Sequence, residues 1–202
     1  VPPAQTEVFS ALDGRGAIQI RAHYPGMQGL PELPLFGMRF VMPNCADGFT
    51  YEGLSGETYP DRKAGGIPGI YKVKGLPVTP YLVPQDCGMH MDTSWVEIQR
   101  SRRLDNRKSV SGSAALRFQC EKGRLFAFSC LPYTASELEN ALHQEELPPP
   151  RRTVLGIFGA VRGVGGIDSW GADVENAYRI DAENDIRYAF EIQPGAEEKN
   201  TV

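Results

Sequence analysis

Ala17-Ile18-Gln19-Ile20-Arg21-Ala22-His23-Tyr24 alternates apolar and polar side chains along its length. Successive side chains on an extended strand point to opposite faces, so this stretch reads as a β-strand with one dry face and one wet face. The same kind of signal recurs outward from it. Residues 93–99 (TSWVEIQ), 114–119 (AALRFQ), 124–128 (RLFAF), 153–158 (TVLGIF) and 186–192 (IRYAFEI) also read as strands. Residues 35–42 (LFGMRFVM) are more uniformly apolar, which predicts a strand buried on both sides. Between these runs, 22 glycines and 16 prolines fall at short intervals, the punctuation of many short strands joined by turns.

One segment departs from the strand pattern. Thr134-Ala-Ser-Glu137 is a capping box, in which the Thr hydroxyl accepts from the amide three residues on and the Glu reaches back. Leu138, Ala141 and Leu142 follow at helical spacing, so a short helix is predicted near 135–143. Pro148, Pro149 and Pro150 form a stiff extended connector after it. Strands of the same kind continue beyond the prolines, so they mark no domain boundary. No internal repeat is visible, and the tail from Pro194 is polar and expected to fray. The predicted fold is all-β and mostly antiparallel: about a dozen strands and one short helix, with two packed sheets burying the alternating surface.

The composition narrows the function classes. The 202 residues carry a net charge of -4 spread along the chain, with no electrostatic footprint for nucleic acid and no polybasic patch for a membrane surface. The dense basic stretch Arg100, Arg102, Arg103, Arg107 and Lys108 is interrupted by Asp105, lacks interleaved aromatics, and reads as a solvated loop. Cys45, Cys87, Cys120 and Cys130 lie too far apart for a CxxC zinc pair. A chain of this length buries a core without staples, so four free thiols are expected. No Walker loop, GxSxG elbow or HExxH is present. The glycine cluster at 163–166 superficially resembles a phosphate cradle, but no Lys-Ser/Thr and no helix pattern follow it. A tight β-turn is the better reading.

Four stretches carry a resemblance. Gly163-Val-Gly-Gly-Ile-Asp168-Ser-Trp170-Gly171 is similar to the "GxGGxDSW" signature of glycoside hydrolase family 2 β-galactosidases. Tyr51-Glu-Gly-Leu-Ser-Gly-Glu57-Thr-Tyr59-Pro60-Asp61-Arg62 resembles that family's "W-x-G-x-G-P-x-E-x-Y-P-D-R", with one residue fewer. Thr79-Pro80-Tyr81-Leu-Val-Pro84-Gln-Asp-Cys-Gly88 resembles "TPY-x-x-P-x-E-x-G". The segment from Phe128 through Thr134 and His143 to Pro148 resembles the family's helix region. The four fall in family order and cover about residues 15–192. The resemblance is to the C-terminal small-chain domain, a supersandwich of the galactose mutarotase kind, and it implies that residues 1–193 are that domain and 194–202 a tail. It also implies that the domain's opening strands lie before Val1, so a C-terminal fragment is expected.

The resemblance carries functional expectations. The parent would be a retaining β-galactosidase acting on terminal β-D-galactose of lactose-like galactosides, in the cytoplasm. Its two catalytic glutamates, about 5 Å apart, belong to a TIM barrel, and no stretch here alternates strand and helix as a barrel of about 250 residues does. The chain alone is therefore expected to be inactive and to hold no cofactor, the parent's Mg and Na being bound by other domains. Its partners would be those domains and the galactoside sugar, with homo-oligomerisation through uncovered apolar surface. Tyr51, standing where the family usually has Trp, is the candidate sugar contact on the aglycone side. Glu57, Tyr59, Asp61 and Arg62 read as a turn network with Asp61 paired to an arginine. Asp168 is expected to cap turn amides and Trp170 to pack between the sheets. His90 and Ser94 replace the family's more common Arg, and Phe158 replaces a common Asp. Two other readings remain open: an autonomous carbohydrate-binding module, or an aldose epimerase using a His and a carboxylate across one sugar ring.

Overall fold

A computed structural model describes residues 5–101 and 114–195. The strands are β1 (Glu7–Leu12), β2 (Ile18–Tyr24), β3 (Leu35–Pro43), β4 (Gly48–Leu54), β5 (Pro68–Lys74), β6 (Met89–Thr93), β7 (Trp95–Arg100), β8 (Ala114–Cys120), β9 (Phe126–Leu131), β10 (Arg152–Val161) and β11 (Ile186–Pro194), with helix α1 (Ala135–Asn140) between β9 and β10. Two antiparallel sheets result. One has seven strands in the order β1-β2-β11-β8-β7-β4-β5, and the other has four in the order β3-β10-β9-β6. The all-β sandwich with one short helix is the fold expected from the alternating runs.

The core lies between the sheets. Ile20, Phe49, Tyr51, Val96, Ile98, Phe118, Tyr188 and Phe190 face Phe126, Phe128, Leu155 and Ile157 across it. Aromatic rings interlock at T-shaped and tilted angles, as Phe49 does with Phe128 at 5.6 Å and Phe40 with Phe190 at 6.0 Å. The strand expected to be buried on both sides is an edge instead. β3 turns Phe36, Met38 and Phe40 inward but leaves Val41 half-exposed, because it closes one end of the four-stranded sheet. The strand buried along its whole length is β9, all six of whose residues are buried. At its Leu131 end it packs against Cys87, Tyr133 and Leu138, brought over it by α1 and the loop before β6, and Ala127 packs with Met89 and Phe158. Composition reports how apolar a strand is, not which neighbour covers it.

α1 starts where the capping box places it. Thr134 accepts from the Glu137 amide at 3.3 Å, and the Glu137 carboxylate accepts from the Thr134 amide at 2.9 Å. The helix ends three residues short of the expected span because Ala141 takes extended backbone. Leu138 is fully buried while Leu142 stands in solvent. All four cysteines are free thiols. Arg102, Arg103, Arg107 and Lys108 lie outside the described residues, as does the tail beyond Gly195; β11 itself runs through Pro194, which pairs with Leu116.

Phe158 sits in a furrow made by two glycines. A Cβ at Gly156 would stand 2.2 Å from Phe158 Cζ, and one at Gly37 would stand 2.4 Å from Phe158 Cδ1. The ring is 8% exposed. Gly156→Ala is expected to destabilise the chain by about 2 kcal/mol through overpacking. The denaturant midpoint measures it, and an unchanged midpoint would mean the ring swings aside freely.

Candidate functional site

Three of the four motif segments, far apart in the chain, meet through two carboxylates. Glu57 is the first hub. Its Oε1 accepts from the Tyr59 hydroxyl at 2.6 Å and from the Gly88 amide at 2.8 Å, and its Oε2 accepts from the Thr79 hydroxyl. Burial, then the Glu57 carboxylate beside it, pushes the Tyr59 phenol well above its ordinary range, so it stays a donor. Between them Thr58 pins the segment to β6: its amide donates to Met89 O at 2.7 Å and its hydroxyl accepts from the Met91 amide at 2.9 Å.

Asp61 is the second hub. Its two oxygens accept from the Val164 amide at 3.0 Å and the Gly165 amide at 2.8 Å. Burial raises its pKa, but the Gly165 and Val164 amides outweigh that and hold the carboxyl below its usual range. The neighbouring Arg62 guanidinium donates to the Gly165 carbonyl. Asp61 therefore binds loop amides rather than the expected arginine, and the two side chains together grip one peptide segment by its amides and its carbonyl. Gly163 is needed for this approach, since a Cβ there would stand 2.8 Å from Asp61 Cγ.

The gripped loop presents Trp170 to solvent. Asp168 Oδ1 accepts from the Trp170 amide at 2.9 Å and the Ala172 amide at 3.1 Å, which is the turn-capping arrangement read from the sequence. Gly166 N donates to Ala172 O at 3.2 Å and closes the loop. Trp170 does not pack between the sheets. It is 93% exposed, because the capped turn lifts it away from the sandwich. Val164 and Ile167 on the same loop are also exposed.

Tyr51 lies elsewhere. It is mid-strand in β4, 1% exposed, with its hydroxyl donating to Leu54 O at 3.0 Å and its ring 5.2 Å from Phe128. It offers no face to solvent in the described chain. His90 also enters the core, stacked on Phe128 at 4.7 Å and an interplanar angle of 15°. Ser94 turns outward and donates to a Glu52 carboxylate oxygen at 2.5 Å. His23 lies 3.3 Å from Glu7 through Nδ1 and 2.5 Å from Asp185 through Nε2, so both ring nitrogens are engaged by carboxylates. No three His, Cys, Asp or Glu side chains among the described residues stand where they could share a metal.

Sequence reasoning missed a set of charges at the foot of the Trp170 loop. Glu32, Arg162, Asp173 and Arg179 interlock there. The available signal was a charged residue at each end of the glycine cluster, Arg162 before it and Asp173 after it.

The described residues form a two-sheet sandwich that presents an aromatic loop. The chain belongs to the β-galactosidase small chain family, which matches residues 1–192. It is 60% identical over 191 residues to a β-galactosidase small subunit from Latilactobacillus sakei, covering 95% of this chain and 60% of that protein. It is 34% identical over 196 residues to β-galactosidase BgaC of Bifidobacterium adolescentis and 30% identical over 192 residues to a β-galactosidase of Streptococcus thermophilus. The chain spans 60% of the length of the small subunit and 18% of each of the two longer relatives.

Proposed function

We propose that this chain is a non-catalytic part of a β-galactosidase that hydrolyses terminal β-D-galactose from lactose-like galactosides, and that it forms the aglycone side of the active site. The barrel, the catalytic glutamates and the Mg and Na ions belong to other domains of the enzyme. The similarity to named β-galactosidases supports the reaction class. The observation that supports the role is the exposure of Trp170 on a loop fixed by Asp61, Arg62 and Asp168. An ordered, solvent-facing indole suits the C–H face of a sugar, with nearby polar groups setting orientation. The aromatic wall is therefore assigned to Trp170 and not to the buried Tyr51. β1 is an edge of the seven-stranded sheet with Val8, Phe9 and Leu12 exposed, which suits a role in assembly. Four free thiols and the absence, among the described residues, of a helix able to cross a membrane suit the cytoplasm.

The test uses the assembled enzyme. Trp170→Ala is expected to raise KM for lactose about tenfold, equivalent to about 1.4 kcal/mol of lost binding, with a smaller effect on a galactoside whose leaving group is a small alcohol. An unchanged KM for lactose would overturn the assignment. The purified chain alone is expected to leave a chromogenic galactoside uncleaved, and turnover by it would overturn the non-catalytic reading.

A further inference from the structure

We propose that Glu32, Arg162, Asp173 and Arg179 form a closed ring of charges that positions the Trp170 loop and so tunes how tightly the enzyme holds the aglycone sugar. The inference rests on the aglycone role of Trp170 proposed above.

Going around the ring, each charge touches two of opposite sign. Arg162 Nε donates to Glu32 Oε1 at 2.9 Å, and its Nη2 lies 2.8 Å from the same oxygen. Arg162 Nη2 also reaches Asp173 Oδ1 at 2.8 Å. Arg179 Nη2 donates to Asp173 Oδ2 at 2.7 Å, and its Nη1 lies 3.5 Å from Glu32 Oε2. Two guanidiniums and two carboxylates leave no net charge. Two further bonds tie the ring to backbone: Arg179 Nε donates to Val174 O at 2.9 Å, and the Val174 amide donates to Asp173 Oδ1 at 2.7 Å.

Its placement distinguishes this ring from ordinary surface pairs. An isolated exposed ion pair adds little to stability, whereas planar guanidinium forks in a network fix geometry. Arg15 with Asp13 and Arg187 with Asp185 join residues two apart. The ring instead joins three segments. Arg162 and Asp173 stand at the two feet of the loop that carries Trp170, while Glu32 reaches in from the segment before β3, which is bridged to Ile180 through Leu33. Asp61, Arg62 and Asp168 shape the loop from within, and the ring sets the separation and direction of its feet. Side-chain exposures of 23% for Arg162 and 33% for Glu32 leave the ring open to ionic screening.

Trp170 and Trp95 are the two tryptophans of the chain, so Trp95→Phe leaves Trp170 as the sole indole reporter. In that background, Glu32→Gln and Asp173→Asn are expected to lower the fluorescence anisotropy of Trp170 with far-UV circular dichroism unchanged. Arg179→Lys, which keeps the charge but loses the fork, is expected to lie between them and the parent, and it serves if either other variant fails to fold. Salt at about 1 M, where the Debye length is about 3 Å, should lower the parent's anisotropy toward that of the variants. In the assembled enzyme Glu32→Gln should raise KM for lactose about threefold, with kcat within about twofold of the parent. Anisotropy that stays at the parent value in all three variants overturns the ring's hold on the loop, whatever Trp170→Ala does. Lower anisotropy with an unchanged KM, where Trp170→Ala does raise KM, overturns its effect on the sugar. If Trp170→Ala leaves KM unchanged, the aglycone reading fails and takes the KM part of this inference with it, and the anisotropy still decides the ring's hold on the loop.

Discussion

Acidification from pH 7 to pH 4 is expected to destabilise the parent chain by about 3 kcal/mol more than it destabilises a His90→Phe variant. His90 is 8% exposed and packed among Phe128, Tyr51 and Phe49, and its Nδ1 is buried without a hydrogen-bond partner. Burial pushes its pKa down to about 4, against a smaller upward pull from the Gly56 carbonyl and the Glu57 charge. The folded chain therefore holds His90 neutral over a range in which the unfolded chain protonates it. The stabilisation is complete above the ordinary histidine value of 6.5 and is lost as pH falls toward 4, levelling off below that. His23 works in the opposite direction, since Asp185 and Glu7 raise its pKa. Comparing parent with variant cancels that contribution and those of the carboxylates. Phenylalanine keeps the stack on Phe128 and removes the titrating ring. Denaturant unfolding across the pH series measures the gap. Parallel curves for the two proteins would show that His90 does not titrate as its burial requires.

The parts of this molecule readable from sequence are those whose cause is local. The Thr134–Glu137 capping box needs only four consecutive residues, and it forms as read. β2 and β11 show their alternation directly, and they pair over seven residues from Ile186↔Tyr24 to Ile192↔Ile18. β4 was equally available, since Phe49 and Tyr51 alternate with Thr50 and Glu52. The motif resemblance makes Tyr51 a sugar contact, whereas the period-two pattern of β4 faces it to the core. What sequence could not supply was long-range covering. β3 and β9 are both apolar, but only the chain path around α1 decides which is buried on two faces. The expected place of Trp170 between the sheets fails for the same reason. Its exposure depends on Asp61, more than a hundred residues earlier, holding the Val164 and Gly165 amides.

That same reach across the chain makes Glu57 the most consequential side chain of the motif cluster. Glu57→Ala is expected to cost about 3 kcal/mol or more, because three partly buried donors lose their acceptor at about 1 kcal/mol or more each. They are the Tyr59 hydroxyl, the Thr79 hydroxyl and the Gly88 amide. Among the described residues no other acceptor is bonded to the Tyr59 hydroxyl, and burial keeps that phenol protonated and in need of one. Glu57→Gln keeps one oxygen but turns an amide donor toward another donor, so it should fall between alanine and the parent. The hub also predicts how mutations combine. Thr79→Val alone leaves the carboxylate short of one donor. Added to Glu57→Ala, it removes a hydroxyl that has already lost its carboxylate acceptor and should cost little more. The double mutant is therefore expected to be more stable than the sum of the single losses by about 1 kcal/mol. Denaturant midpoints for the four proteins close the cycle. Losses that add to within about 0.3 kcal/mol would mean that Glu57 and Thr79 act independently, and that the segments around residues 57 and 79 are held together by something other than this carboxylate.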